Sequence, residues 1–315
     1  MEADAMDPIA DIIHQVDPER IRRDLCYLCE LPLPFRKANL TLPDHTKSTL
    51  EETDDFLVQR LSRLRYAPWK EEARAQAFGY DATKPRHHTY ATPHPGAPWY
   101  TLHNVYAEKK GQDVPAEIIL FVAHKDSQSW IHSPGAYDNA VGTAALLELA
   151  RVLAKYTPRR TIRFLWCNEE HRPWTSITAA ANAKKRGDNL IAVINVDSIG
   201  GKSQAEIDQG KKPNVTLYTT EEGKRLADRV TRANELYRVG LEQRTQLRSQ
   251  PGDDDGSFVK AGYPAAIANL GSFPYADPNY HEPGDTNDKV DVPNVSMAAQ
   301  AVLAAALITD RDGAA

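Results

Sequence analysis

From residue 100 onward the spacing of apolar positions switches between alternation, unbroken runs and a period near 3.6, which predicts strand and helix in turn. Trp99 to Glu108 alternates and reads as a strand toward a sheet edge. Glu117 to Ala123 holds an unbroken Ile-Ile-Leu-Phe-Val-Ala run, the pattern of a strand buried on both faces. Asn139 to Tyr156 sets Ala144, Ala145 and Leu149 on one side of a helix, with Gly142 allowing close approach. Thr161 to Cys167 is the next strand, Thr175 to Arg186 an Ala-rich helix, and Asn189 to Val196 another apolar strand. Val215 to Thr219 and Ala265 to Leu270 read as further strands, and Glu221 to Tyr237 as a helix with acids in its first turn. Arg248 to Ser257 reads as a polar, acidic loop. A second loop, Gly271 to Val292, precedes a C-terminal helix starting at Pro293. This βαβ succession predicts one α/β domain.

Earlier in the chain, Pro18 to Glu30 predicts a helix with Ile21, Leu25 and Leu28 on one side. Ser48 to Arg65 predicts another, with Ser48 and Glu51 at capping-box spacing. Leu31 to Asp44, with three prolines, is loop-like. Residues 79–98, rich in Pro, Gly and His, lose periodicity and read as a surface excursion with His87 and His88 as solvated loop residues. Residues 1–98 are thus expected to pack, as helices and irregular loop, on a catalytic core of residues 99–310 within one domain spanning 1–315.

An apolar fraction of 41% is enough for a substantial core. The 38 basic and 43 acidic residues leave a net charge of −5 without a Lys/Arg-rich block, which argues against nucleic acid as a partner. Apolar runs such as Ile118 to Ala123 are far too short to cross a bilayer, so no membrane role is expected. Met1 to Asp7 lacks a basic region followed by an apolar stretch. A cytoplasmic location is the expectation, or a secreted one if a leader has been trimmed. Three cysteines make no disulfide framework, and Cys26-x-x-Cys29, inside a helical pattern, reads as buried helix cysteines.

Candidate chemistry gathers at the strand ends. His124 and Asp126 follow one strand, Glu169 and Glu170 the next, and Asp197 a third; Asp138 precedes a helix and His281 lies in the last loop. Taken singly, each is an ordinary cap or strand end. Parallel strands would crowd Asp138, Glu169, Glu170 and Asp197 into one crevice, where they would raise one another's pKa unless cations neutralised them. Three carboxylate ligands and a hydroxide balance two divalent ions, and imidazole with carboxylate suits zinc.

With these residues in place, the chain resembles the co-catalytic di-zinc aminopeptidases, which include bacterial leucyl aminopeptidases and aminopeptidase Y. The matching pieces are Ala123-His-Lys-Asp-Ser127, Gly135-Ala-Tyr-Asp-Asn139, Asn168-Glu-Glu170, Asn195-Val-Asp197, Ser257-Phe with Ala261-Gly-Tyr-Pro-Ala265, and Tyr280-His-Glu-Pro-Gly-Asp-Thr286. The resemblance implies a zinc-exopeptidase fold, with a mixed, mostly parallel central β-sheet flanked by helices. It implies that Asp138 bridges two Zn²⁺ ions, that His124 and Asp197 complete one site, and that Glu170 and His281 complete the other. Glu169 is then the general base, Asp126 and Asp285 orient His124 and His281, and the Asp138–Asn139 bond is cis. The implied reaction removes the N-terminal residue from a peptide or aminoacyl substrate with a free amino terminus.

Three stretches depart from the resemblance. His171-Arg-Pro-Trp-Thr-Ser176 replaces a Gly-Ser turn, making Trp174 or Arg172 a pocket candidate. Asp253-Asp-Asp255 stands where many relatives carry Ser-Asp-His. Arg248-Ser-Gln-Pro replaces a Tyr-bearing stretch, which leaves Gln250, Tyr275 and Tyr280 as candidate oxyanion donors. One rival reading is a glutaminyl-cyclase-like acyltransferase with one zinc, whose members usually have Trp where this chain has Tyr280. The other is a non-catalytic binding module, in which ligands are lost; here all five ligand positions and Glu169 are present.

Overall fold

The computed structural model describes residues 7–315; the reading of the chain start as free of a leader falls largely outside them. In chain order the helices are α1 (Pro8–Ile13), α2 (Pro18–Cys29), α3 (Thr49–Arg63), α4 (Val141–Leu153), α5 (Thr175–Arg186), α6 (Gln204–Asp208), α7 (Glu221–Leu236), α8 (Asp253–Lys260) and α9 (Val292–Asp312). The strands are β1 (Trp69–Ala77), β2 (Gly79–Tyr80), β3 (Tyr90–Ala91), β4 (Tyr100–Lys109), β5 (Val114–His124) and β6 (Arg160–Cys167). They continue as β7 (His171–Arg172), β8 (Asn189–Val196), β9 (Pro213–Tyr218), β10 (Glu242–Leu247) and β11 (Ala266–Leu270).

Nine strands form one mixed sheet in the order β10-β9-β11-β8-β5-β6-β4-β1-β7. Its centre, β11-β8-β5-β6, is parallel throughout. Each of these strands is a largely buried apolar run, β5 from Ile118 onward, as a sheet covered on both faces requires. His124 pairs with Cys167, and Val122 with Asn195, so the carboxyl ends of β5, β6 and β8 are nearly level. The segments leaving these strands therefore start from one edge.

On one face α4 and α9 pack against the sheet, and α1 to α3 pack on them. The α3 start is held by the predicted capping box: the Ser48 hydroxyl accepts from Glu51 N, and Glu51 Oε2 accepts from Ser48 N. Gly142 is required by close approach, since a Cβ there would lie 2.3 Å from the Val196 carbonyl oxygen. α9 corrects the reading that no apolar stretch is long enough for a bilayer: its 21 residues suffice by length and composition. Most of it is buried in the core, which accounts for its apolar character.

Other expectations shift. β4 is an inner strand, because β1 and β7 lie beyond it. Residues 1–98 thus contribute a strand to the main sheet as well as helices and loop. The Arg248–Ser257 stretch is not all loop, since Asp253, Asp254 and Asp255 form the first turn of α8. Residues Ala136–Ala140 make an irregular turn before α4.

Candidate metal centre

β5 delivers His124 to the sheet edge, and the 125–135 loop returns the chain to Asp138. That loop is pinned by Arg36, whose buried guanidinium donates to the carbonyls of Lys125 (2.7 Å), Pro134 (2.7 Å) and Gly135 (2.9 Å). Asp138 Oδ1 lies 3.0 Å from His124 Nε2, and Asp138 Oδ2 lies 2.9 Å from His281 Nε2. One carboxylate thus presents each oxygen to a different histidine. Asp197 Oδ1 is 3.5 Å from His124 Nε2, and Glu170 Oε1 is 3.2 Å from His281 Nε2. All five proposed ligands converge, and all five are buried. Ligand atoms of His124, Glu169 and Asp197 lie within 4.8 Å of one another, as do those of Asp138, Glu170 and His281.

Surrounding groups fix these side chains. Asp126 accepts from His124 Nδ1 (3.2 Å), Glu169 N (3.0 Å), Glu170 N (2.8 Å) and His171 Nδ1 (2.7 Å). The orientation of His124 by Asp126 agrees with expectation. For Asp285 the structure corrects it: its oxygens accept from Tyr137 N (2.9 Å) and Asp138 N (3.1 Å). Asp285 therefore positions the backbone of Asp138. The partner of His281 Nδ1 is instead the His87 carbonyl, at 2.7 Å. The 79–98 excursion is thus part of the site, and His88 and Tyr90 line its cleft. Sequence reasoning also missed Gln128, whose amide donates to Asp138 Oδ2 (2.9 Å) and Glu170 Oε1 (3.1 Å). Neither Arg36 nor Gln128 carries a motif that marks it; His87 and His88 were visible only as part of a His-rich loop.

The cleft holds about 410 Å³. Trp174, Tyr275 and Tyr280 line it, whereas Gln250 is absent from its wall. The Tyr275 hydroxyl donates to Asp197 Oδ2 at 3.4 Å, and the Tyr280 ring stacks between Tyr275 and His281. The Asp138–Asn139 bond is cis.

The electrostatics are those of crowded, desolvated acids. Burial lifts Glu170 to about 7, and the Asp138 charge adds to the effect. Burial, with Asp254 and Asp253 nearby, lifts Glu169 well above the usual carboxylate range, and Glu169 Oε2 is buried without a hydrogen-bond partner. Burial alone would disfavour charge on the histidines, yet the carboxylates outweigh it. His124 is held well above its ordinary range and His281 at about 10. Each histidine uses Nδ1 to donate to a fixed acceptor and turns Nε2 toward carboxylate oxygens. This donor set, two imidazole nitrogens among converging carboxylates with one acid oxygen unpartnered, fits a pair of divalent cations.

The family model for peptidase family M28 matches residues 104–306. The chain belongs to peptidase family M28. Within this family it is similar to leucine aminopeptidase 1 of Sclerotinia sclerotiorum, 29% identical over 182 residues, covering 53% of this chain and 46% of that one. It spans 42% of the length of the probable zinc metalloproteases of Pyrenophora that it also resembles, and so covers less than half of these curated relatives. The M28 fold seen here is shared with the LapA aminopeptidase of Legionella pneumophila, at TM-score 0.73, 19% identity and coverage of 98% and 76% of the two chains. It is equally shared with a glutaminyl cyclase of Bacteroides thetaiotaomicron, at TM-score 0.70, 18% identity and coverage of 92% and 97%. Fold alone does not separate these two chemistries.

Proposed function

We propose that this protein is a zinc aminopeptidase that uses two Zn²⁺ ions and Glu169. The observation that supports this most directly is Asp138, with one oxygen toward His124 and the other toward His281. A ligand shared between two histidine-carboxylate groups can serve two ions, whereas Asp138, Glu170 and His281 alone would make a one-zinc site, so metal stoichiometry separates the two readings. His124 and Asp197 would hold one ion, Glu170 and His281 the other. Bound there, zinc supplies Lewis acidity toward the substrate carbonyl and lowers the pKa of water.

Glu169 is the base: it lines the cleft and its Oε2 has no protein partner. It accepts the proton of the attacking water and passes it to the leaving amine. The substrate's free ammonium faces the acidic wall of the cleft. Tyr280 is the oxyanion donor, since it lines the cleft and the Tyr275 hydroxyl is already committed to Asp197.

The test is a panel of aminoacyl p-nitroanilides with and without added zinc, run beside ammonia release from an N-terminal Gln peptide. Zinc-dependent cleavage is expected, and Glu169→Gln should lower kcat by about 10²–10⁴-fold while metal content is retained. Ammonia release without anilide cleavage would transfer the protein to the cyclase chemistry.

A further inference from the structure

A second cavity of about 400 Å³ lies beside the catalytic cleft. Arg172 and Trp174 line both. Two further segments pass from one to the other: Tyr90 faces the cleft and Thr92 the cavity, while on α8 Asp253 faces the cleft and Lys260 the cavity. The two spaces therefore adjoin at Arg172 and Trp174. Their walls differ in charge. The cleft is lined mostly by acids, Arg172 stands at its junction with the cavity, and the rest of the cavity wall adds Lys260 and no carboxylate. Between these cations the surface is apolar, and it leaves Trp99 52% and Ile177 50% exposed. Large apolar side chains left open beside a functional cleft mark a surface that a ligand covers.

We propose that this cavity receives the leaving-group side of a short peptide, with an apolar side chain between Trp99, Trp174 and Ile177 and a free carboxylate at Arg172 and Lys260. The inference rests on the aminopeptidase reading and names its substrate class. A short peptide is a zwitterion, with an ammonium at one end and a carboxylate at the other, and the cleft and cavity together have the complementary polarity. An aminoacyl anilide or amide fills only the acidic half. A long chain brings no carboxylate to the basic half.

The experiment measures kcat/KM for leucyl-phenylalanine, leucyl-phenylalaninamide, leucyl-glycine and leucine amide in the zinc-loaded protein. The free-carboxylate dipeptide should exceed its own amide by about tenfold, the worth of one charge-assisted hydrogen bond. In an Arg172→Gln/Lys260→Gln double variant this ratio should fall toward one, and in Ile177→Asp the advantage of leucyl-phenylalanine over leucyl-glycine should shrink. Because each ratio is taken within one enzyme preparation, differences in folding or metal content cancel. L-Phenylalanine should also quench the emission of Trp99 and Trp174 more than phenylalaninamide at equal concentration. Acid-to-amide ratios near one in the wild type, with leucine amide cleaved, overturn the carboxylate subsite and leave the aminopeptidase reading standing. Failure to cleave any of the four overturns both.

Discussion

Replacing Asp126 by Asn tests whether the site is held together by one buried carboxylate. Its two oxygens serve four donors: Oδ1 takes His124 Nδ1 and Glu169 N, and Oδ2 takes Glu170 N and His171 Nδ1. The His171 tautomer is fixed, because its Nε2 accepts from Ala38 N at 3.2 Å. The new amide oxygen must therefore take the Oδ2 side, and the amide nitrogen then meets Glu169 N–H and His124 Nδ1–H. Glu169 N–H loses its acceptor, at a cost of about 1–3 kcal/mol, while His124 Nδ1–H keeps the Asp126 backbone carbonyl at 3.2 Å. For a chain of this size that lowers Tm by roughly 2–6 °C. His124 relieves part of the clash by moving its proton to Nε2, but this occupies the lone pair a metal needs. Zinc affinity should then fall about 10–100-fold.

The same substitution makes a pH prediction. Burial works to raise the Asp126 pKa, but bonds from His124 and His171 prevail and hold it below its ordinary 3.8. A lowered acid contributes stability that is complete above that value and lost as pH falls toward the folded pKa. The deficit of the variant should thus be full at neutral pH and narrow in acid. Thermal denaturation of metal-free protein at several pH values, with competition against a chromophoric chelator, measures both effects. A variant with wild-type Tm and zinc affinity at neutral pH refutes the reasoning.

Chelation should lower Tm, since free zinc at 1,000-fold over its Kd stabilises the fold by about 4 kcal/mol; an unchanged Tm would mean that the cluster holds no ion. His87→Gly should keep zinc affinity and kcat near wild type, because His281 uses the His87 carbonyl and φ of 71° there suits glycine. Loss of zinc in that variant would assign the role to the His87 ring. With Ellman's reagent, half-buried Cys26 should react and Cys29 should not, as burial pushes its thiol to about 12. Rapid reaction at Cys29 in the folded protein would contradict this packing.

The central sheet and the converging acids were legible because they depend on strong local signals. Buried runs such as Ile118–Ala123 have no other plausible place, and parallel strands bring their ends together whatever the loops do. The edges were not legible. β1 buries only Ala73 and Ala75 in alternation, too little apolar area to register, and β10 is mostly polar because it borders solvent. The Asp253–Asp255 run looked like solvated loop, but it pairs with Arg248 at 2.7 and 2.6 Å and opens a helix, where acids are favoured. Asp285 was found as a site residue and misassigned. The resemblance implied His281 as its partner, while the fold brings it to the backbone N–H groups of Tyr137 and Asp138. The carbonyl of His87 was beyond reach of any pattern, since a backbone oxygen leaves no mark on composition.

The two histidines are anchored unequally, and this should show in how the protein fails. His124 ends a central strand and leans on a carboxylate from its own chain segment. His281 sits in a loop at φ 54° and leans on a carbonyl from another loop, residue 87, which lies outside the stretch matched by the family model. Loops open at lower free energy than sheet centres. On gentle warming the His281 loop should open before the sheet, so that, on the two-ion proposal, the ion nearer His281 exchanges first and its loss precedes unfolding.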